Sequence, residues 1–460
     1  MSSRATSSLK KDNKIDMLNG PLLGKILVFA LPLMASGVLQ QSFNSVDVAV
    51  VGRYCNPQSL AAVGSNGMII SLIVNLFIGI SVGANVVIAH YIGRKDNRAV
   101  KNAVETVMSL ALVCGFILLF IGVFTARPIL EAISTPHDVI DLATLYLRIY
   151  FLGMPFFLVY NFGSAILRSV GDTRRPFYCL VAGGIVNVIL NLILVLVFDM
   201  GVAGVAIATV VSNVVSASLL LVILAREEEP YRVDIRRFLI NRPELSKMLR
   251  IGMPAGIQGM VFSFSNIFIV SGINTFGAAG SAGSAAALNY EYYCYFVIVA
   301  FNSAAVAFTG QNYGAGQVER CNRVFRLCMI MALVGCAVLN LLIAWQKEFF
   351  ISFFTTDPEV ASYAYIRIIT VLMFQFIATS YEVSGACMRG LGYSMTPTVL
   401  TIIGTCLLRI GWVYTFHHTS IIDSMSDLLM VYPLSWAITG ISVLIAYFII
   451  RRKAYRKVSV

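Results

Sequence analysis

The sequence predicts an all-α membrane protein of twelve transmembrane helices, arranged in two six-helix lobes related by an internal parallel repeat. Three observations predict it. Of 460 residues, 58% are hydrophobic and only 12% charged, against about 25% charged in an ordinary soluble domain. Charge-free apolar runs recur along the whole length, among them Val107–Ala126, Phe177–Phe198 and Val261–Leu288. Short motifs in the first half of the chain also return in the second half at a nearly constant spacing.

A membrane-spanning helix needs roughly 20 apolar residues. Twelve such spans begin near Ile26, Leu60, Thr106, Leu142, Phe177, Val202, Ile251, Ala285, Leu327, Tyr363, Pro397 and Leu428. The remainder forms short loops, which excludes a soluble catalytic domain. Residues 1–25 make a polar, basic N-terminal segment with Lys10, Lys11 and Lys14. The apolar run after Lys25 continues far beyond a signal-peptide core, so no cleaved signal is expected. The first lobe is expected over 26–225, a charged linker over 226–250, the second lobe over 251–450 and a basic tail over 451–460. The nine cysteines lie singly and read as apolar packing residues.

The net charge of +11 is distributed in a way that points to a membrane and not to nucleic acid. Of the 34 basic residues, 28 fall on the N-terminus, the tail and alternate loops, and 6 fall on the other loops and the spans. By the positive-inside rule both termini are cytoplasmic, which requires an even number of spans. Lys95, Arg174 and Arg237 are expected inside, and Pro57, Pro136, Pro358 and Asp423 outside. The expected location is the inner (cytoplasmic) cell membrane, with basic loops, Arg168 and Arg389 included, at anionic headgroups.

The repeat explains the even count. "LRSVGDTRRP", Leu167 to Pro176, returns as "MRGLGYSMTP", Met388 to Pro397, at an offset of 221. Pro32, Gly37 and Asn44 match Pro254, Gly259 and Asn266 at 222, Gly93 matches Gly314 at 221, and Tyr146 and Arg148 match Tyr365 and Arg367 at 219. Six spans return the chain to its starting side, so the halves share one orientation, as in transporters built from parallel repeats. In the repeated Arg-x-x-Gly-x-x-x-x-Pro, Gly permits positive φ at a helix end and Pro opens the next helix, a structural role. Pro32 and Pro254 are hinge candidates, each removing a backbone donor at mid-helix.

"ALPLMASGVLQQSFNSVDVAVVGR" resembles the first helix of the multidrug and toxic compound extrusion (MATE) family. "LRSVGDTRRP" resembles that family's turn after the fourth helix, and Asn187 to Ser212 resembles its fifth and sixth helices. The six-plus-six layout extends the resemblance over the whole chain. It implies a secondary antiporter that extrudes organic cations and other amphipathic compounds by alternating access of two lobes, driven by H⁺ or Na⁺. It places the cation-coupling network on Asp47, Asn187 and Thr209. Where the family often has a second carboxylate, one turn after the fifth-helix amide, this chain has Asn191. The seventh helix offers Ser265 and Asn266, and Ala378 stands at the position of a tenth-helix acid.

Asp47 also stands out by itself. A mid-helix Asp costs roughly 2.5–3.5 kcal/mol on insertion scales, and such residues commonly face a partner and mark an ion path. The alternative is a structural Asp bonded to neighbouring helices. Asn187 and Asn191 lie one turn apart on one face, as coupling residues or as helix glue. "LNYEYYCYF" sets Glu291 among tyrosines, with Tyr290 and Tyr293 as substrate-cavity candidates for a lipophilic cation or as part of an interfacial belt. Glu382, Met34 and Met260 are further cavity candidates, the methionines as soft, adaptable wall. The placed charges, Asp47, Glu291 and Glu382, make the cavity neutral to acidic. That argues against a lipid-linked oligosaccharide flippase or polysaccharide exporter, which needs a cationic cavity. A membrane-embedded enzyme is the other rival, but His90, His137, His417 and His418 form no metal triad, and there is no phosphate loop for ATP. No cofactor is expected beyond the coupling ion, H⁺ or Na⁺, with Asp47 as the Na⁺ ligand. The partners are amphipathic small molecules and membrane lipids, and the chain is expected to act as a monomer.

Overall fold

In the computed structural model of the protein, residues 14–133, 135–234, 237–418 and 424–457 are described. Arg4, Lys10, Lys11, Arg236, Asp423 and the last three residues of the basic tail lie outside these, as do the side chains of His417 and His418. The described residues are helical, without strands.

Among the described residues, eleven helices are long and apolar enough to cross a membrane alone, and a bent pair completes the twelve. In the first half these are α1 (Leu22–Tyr54), α2 (Pro57–Arg94), α3 (Asn97–Ala132), the pair α4 (Ile140–Leu152) and α5 (Met154–Ser169), α6 (Arg174–Leu192) and α7 (Gly201–Ala225). The second half has α8 (Arg242–Asn274), α9 (Gly277–Gly314), α10 (Val318–Trp345) and a short α11 (Lys347–Ser352). It continues with α12 (Pro358–Thr370), α13 (Thr379–Gly390), α14 (Met395–Thr401), α15 (Leu408–His418), α16 (Met425–Leu429) and α17 (Val431–Arg456). Each expected span start falls inside or next to one of these helices, and most helices reach a turn or more beyond the apolar run.

Breaks interrupt five of the spans, the twelfth among them at Met430 between α16 and α17. The fourth bends by 47° between α4 and α5, where Gly153 precedes Met154 and Pro155 lacks a backbone donor. The tenth runs from α12 through a 3₁₀ segment, Leu372–Ala378, into α13. The fifth ends in a π-helical turn, Ile193–Val197, and the eleventh carries another, Ile402–Leu407, between α14 and α15.

The chain divides into two compact units. One comprises Ala35–Leu249 with the described residues up to Asp16. Small residues set its packing: a Cβ on Gly115 would lie 2.5 Å from Pro155 Cα, and one on Gly122 would lie 2.0 Å from the Phe151 ring. Ser216 Oγ donates to Cys179 O at 3.1 Å, tying α7 to α6. The other unit comprises Met17–Met34 and the chain from Arg250 onward. Here the structure differs from the boundaries read from the sequence, which put all of α1 in the first lobe. The physical reason is local. Phe29 meets Phe308 edge-on at 5.6 Å, and Asn312 Nδ2 donates to Met17 O at 3.2 Å. Arg320 donates to the carbonyls of Met17, Asn19 and Gly20 at 3.2, 2.9 and 2.9 Å.

The repeated turn behaves as expected. Gly171 and Gly392 both adopt positive φ, +93° and +89°, and Pro176 and Pro397 are each the third residue of the next helix. Asp172 Oδ1 accepts from the N–H groups of Arg174 and Arg175, both at 3.1 Å. Its other oxygen bonds Arg175, which also bonds Glu227, and Lys14 Nζ donates to Glu227 at 2.5 Å. Burial pushes the Glu227 carboxyl up, but Lys14 and Arg175 together hold it below the usual range. One assignment is corrected: Arg168 and Arg389 are not loop charges. They close α5 and α13, and Arg389 is buried.

Candidate functional site

The first unit brings three of the four sequence-derived coupling residues together. Asn191 Nδ2 donates to Asp47 Oδ1 and, at 3.2 Å, to Asn187 Oδ1. Asn187 and Asn191 share one face of α6 because they are one turn apart. The approach of α1 is set by Gly184, where a Cβ would lie 1.8 Å from the Phe43 ring. Both asparagines are buried, and Asn191 Oδ1 has no hydrogen-bond partner. An orphan buried amide oxygen beside a carboxylate is oxygen chemistry suited to H⁺ or Na⁺. The Tyr146 and Tyr150 hydroxyls stand within electrostatic reach of Asp47. Val50, Val51, Val195, Val202 and Val205 form the apolar wall nearby. Thr209 is not joined to this chain of bonds, since its hydroxyl donates to Val205 O at 3.1 Å on its own helix.

The second unit rearranges the cavity candidates. Glu291 is buried, and both its oxygens are taken by Arg367: Nε donates to Oε1 at 2.6 Å and Nη2 to Oε2 at 2.9 Å. Arg367 Nη1 also donates to Ser284 Oγ at 2.7 Å, and Gln375 donates to Glu291 O at 3.0 Å. This bidentate pair leaves no open carboxylate for a cationic substrate. It also removes Glu291 from the headgroup belt, since the side chain is enclosed by protein. Tyr290 donates to Phe350 O at 2.7 Å and packs edge-on against Phe350 and Phe354, so its hydroxyl is engaged with backbone. Tyr293, Met34 and Met260 are half-buried. Glu382 accepts from Tyr295 at 3.0 Å and from Asn302 at 2.6 Å. Pro32 lies inside α1 and Pro254 inside α8, both in helix interiors as expected.

Two buried arginines escaped the reading of the sequence. Arg389 Nη2 donates to Gln258 at 2.7 Å, and Glu382 is its electrostatic neighbour. Arg409 is fully enclosed, at 0% exposure. Its Nη1 donates to Asn266 Oδ1 at 3.1 Å and its Nε to Ser435 Oγ at 3.4 Å, while Nη2 has no partner. The guanidinium lies 4.3 Å from the Tyr432 ring centroid and 5.0 Å from that of Phe262. No carboxylate among the described residues forms an ion pair with it. Cation–π contacts contribute about 0.5–2 kcal/mol, whereas a buried charge without a counter-ion costs about 3–5 kcal/mol. The aromatic faces therefore do not balance the burial. Among the charges that these contacts bring together, three guanidiniums (Arg367, Arg389, Arg409) stand against two carboxylates (Glu291, Glu382), one positive charge in excess. This corrects the expected neutral-to-acidic cavity for the second lobe. A missed signal was available: Arg409 sits in an apolar span with no acidic residue between Glu382 and Asp423.

A fold of twelve spans in two repeats, with the Asp47 carboxylate within the first of them, is the architecture of a membrane transporter. A family model, MatE, matches residues 32–193 and again 254–415, and the chain belongs to the MATE family. The two matches begin and end 222 residues apart, which is the internal duplication. Among curated relatives, the chain is 28% identical over 419 residues to the probable multidrug resistance protein YoeA of Bacillus subtilis, covering 90% of each. It is 28% identical over 402 residues to the probable multidrug resistance protein NorM of Thermotoga maritima, covering 84% of each. A solved structure described as the outward-facing conformation of a multidrug resistance MATE family transporter of the MOP superfamily matches with a TM-score of 0.89. That match has 23% identity and covers 96% of this chain and 98% of the other.

Proposed function

We propose that this chain is a multidrug efflux antiporter, exchanging H⁺ or Na⁺ for amphipathic organic compounds by alternating access of its two lobes. The observation that carries the reading is the Asp47–Asn191–Asn187 chain of hydrogen bonds with an orphan amide oxygen at its centre. With Asn at position 191, the network holds one negative charge, so one bound monovalent cation makes it neutral. A neutral site tolerates low dielectric, and a bare carboxylate favours hydration. Cation loading thus acts differently on open and closed states, and a ligand shifts an equilibrium only by such a difference. The names of the curated relatives support the drug-efflux part of the reading. The basic-residue split supports an inner-membrane location with both termini cytoplasmic. Transport by a monomer without further cofactor completes the proposal; the multidrug resistance names of the curated relatives, and not the cavity charge, set it ahead of flippase activity.

The test is dye export from proteoliposomes, without ATP, with ΔpH and ΔNa⁺ imposed separately. Wild type should export under one gradient or both. Asp47→Asn keeps the shape and removes the charge, so it should insert normally and lose gradient-driven export. Full export by Asp47→Asn at equal abundance would make Asp47 structural.

A further inference from the structure

We infer that Arg409 is the recognition point for a carboxylate on the transported compound, so that the second lobe selects zwitterionic or anionic aromatic amphiphiles. This rests on the efflux reading and names its substrate class.

The first support is the charge count. Arg367 and Arg409 both lie over Tyr432, at 5.5 and 4.3 Å, yet only Arg367 has a carboxylate, Glu291. Around that ring the protein supplies two positive charges and one negative. Tyr381 has Glu382 on one side and Arg409 within electrostatic reach, but Glu382 already accepts from Tyr295 and Asn302. The excess is one unit. A carboxylate matches it in charge and can accept from the unpartnered Nη2, whereas a phosphate monoester brings about −1.5 to −2.

The second support is the position in the repeat. Pro176 and Pro397 are 221 apart. The π-helical turn Ile402–Leu407 then accommodates one extra residue before α15, raising the offset to the 222 seen where the family matches end. At 222, Asn187 corresponds to Arg409. The contacts agree: Phe43 on Gly184 in the first unit corresponds to Ser265 beside Cys406 in the second. Asn44 corresponds to Asn266, which accepts from Arg409. The position that helps to hold a carboxylate in the first repeat holds an unmatched guanidinium in the second, with Nη2 free to donate. In the conformation seen here Arg409 is enclosed, and the π turn directly before it is the element whose shift would present it. Tyr432, edge-on to Trp436 at 5.7 Å, and Phe262 supply aromatic surface for the rest of the compound.

The test uses a matched pair of probes, a carboxy-rhodamine and its methyl ester, which differ by one negative charge. Binding to the purified full-length protein is measured by fluorescence polarisation. Wild type should bind the free acid at least about tenfold more tightly than the ester, the weight of one charge-assisted contact. Arg409→Gln should bring that ratio to within about twofold, and Arg409→Lys, which keeps the charge but not the fork, should retain part of it. Equal binding of acid and ester by wild type, or an unchanged ratio in Arg409→Gln, overturns the inference. If Arg409→Gln does not fold, the wild-type ratio and the lysine variant decide. Gradient-driven export of the ester is read in parallel. Export of the free acid is read beside it: failure of wild-type proteoliposomes to export either probe counts against the antiport reading, while the binding ratio still decides the role of Arg409.

Discussion

The two lobes start from one design and hold the carboxylates within their spans in different ways. In the first, the Asp47 carboxylate on α1 accepts from the neutral amide of Asn191, which also bonds Asn187. In the second, Glu291 is locked bidentately by Arg367, Glu382 is held by Tyr295 and Asn302, and Arg409 is left without a counter-ion. The difference teaches that duplication copies the backbone frame, turn glycines and helix packing, whereas charge is free to diverge at matched positions. A carboxylate among neutral amides can lose and regain a cation cheaply. A bidentate ion pair cannot, because separating it leaves two uncompensated charges in low dielectric.

That contrast can be broken at its strongest point first. Arg367→Ala leaves Glu291 buried and unpaired and should destabilise the protein by about 3–5 kcal/mol, read as a lower melting temperature in detergent. The double variant Arg367→Met with Glu291→Leu should recover most of the loss; no recovery would mean the pair is not what holds α9 to α12. Next, Asn187→Arg would give the first lobe a guanidinium beside Asp47, imitating the second. Gradient-driven export should fall at least about tenfold, because a fixed counter-ion displaces the mobile one. Undiminished export would separate Asp47 from coupling. A third test concerns the approach of α1 to α6. Gly184→Ala overpacks against Phe43 and should cost about 1–3 kcal/mol, relieved by adding Phe43→Ala; thermal melts of the single and double variants read the relief.

The smallest effect lies at the Lys14–Glu227–Arg175 cluster. The carboxyl of Glu227 is held below the usual range in the folded state, so its contribution is present above the unfolded pKa and lost as pH falls through the folded one. Its partners are part-exposed, which limits the pairing to about 0.2–1 kcal/mol. Glu227→Gln should flatten the acid limb of a stability-against-pH curve by that amount, and an identical curve would show the cluster to be energetically silent.

By itself the sequence determined the helical membrane class, the twelve spans, the duplication, the turn glycines at 171 and 392, and Asp47 as the charge in need of an account. These are local or periodic properties: hydropathy run length, spacing, and the cost of one acid in an apolar run. Hydropathy could not show that the fourth span bends at Gly153, because Met154–Ser169 is apolar enough to pass as a continuation. Partner choice was decided only by tertiary structure. Glu291 and Arg367 are 76 residues apart, and nothing between them signals that α9 and α12 meet there. Arg409 reads as a basic residue near a span end until the neighbouring helices are in place. Only then does it emerge as an enclosed cation among Asn266, Ser435, Tyr432 and Phe262. Thr209 failed to join Asp47 for the same reason: a hydroxyl on a helix has a nearby carbonyl of its own to bond, here Val205 O. Whether a buried polar group becomes a site or merely a satisfied donor depends on which helix faces it, and that is a property of packing and not of spacing along the chain.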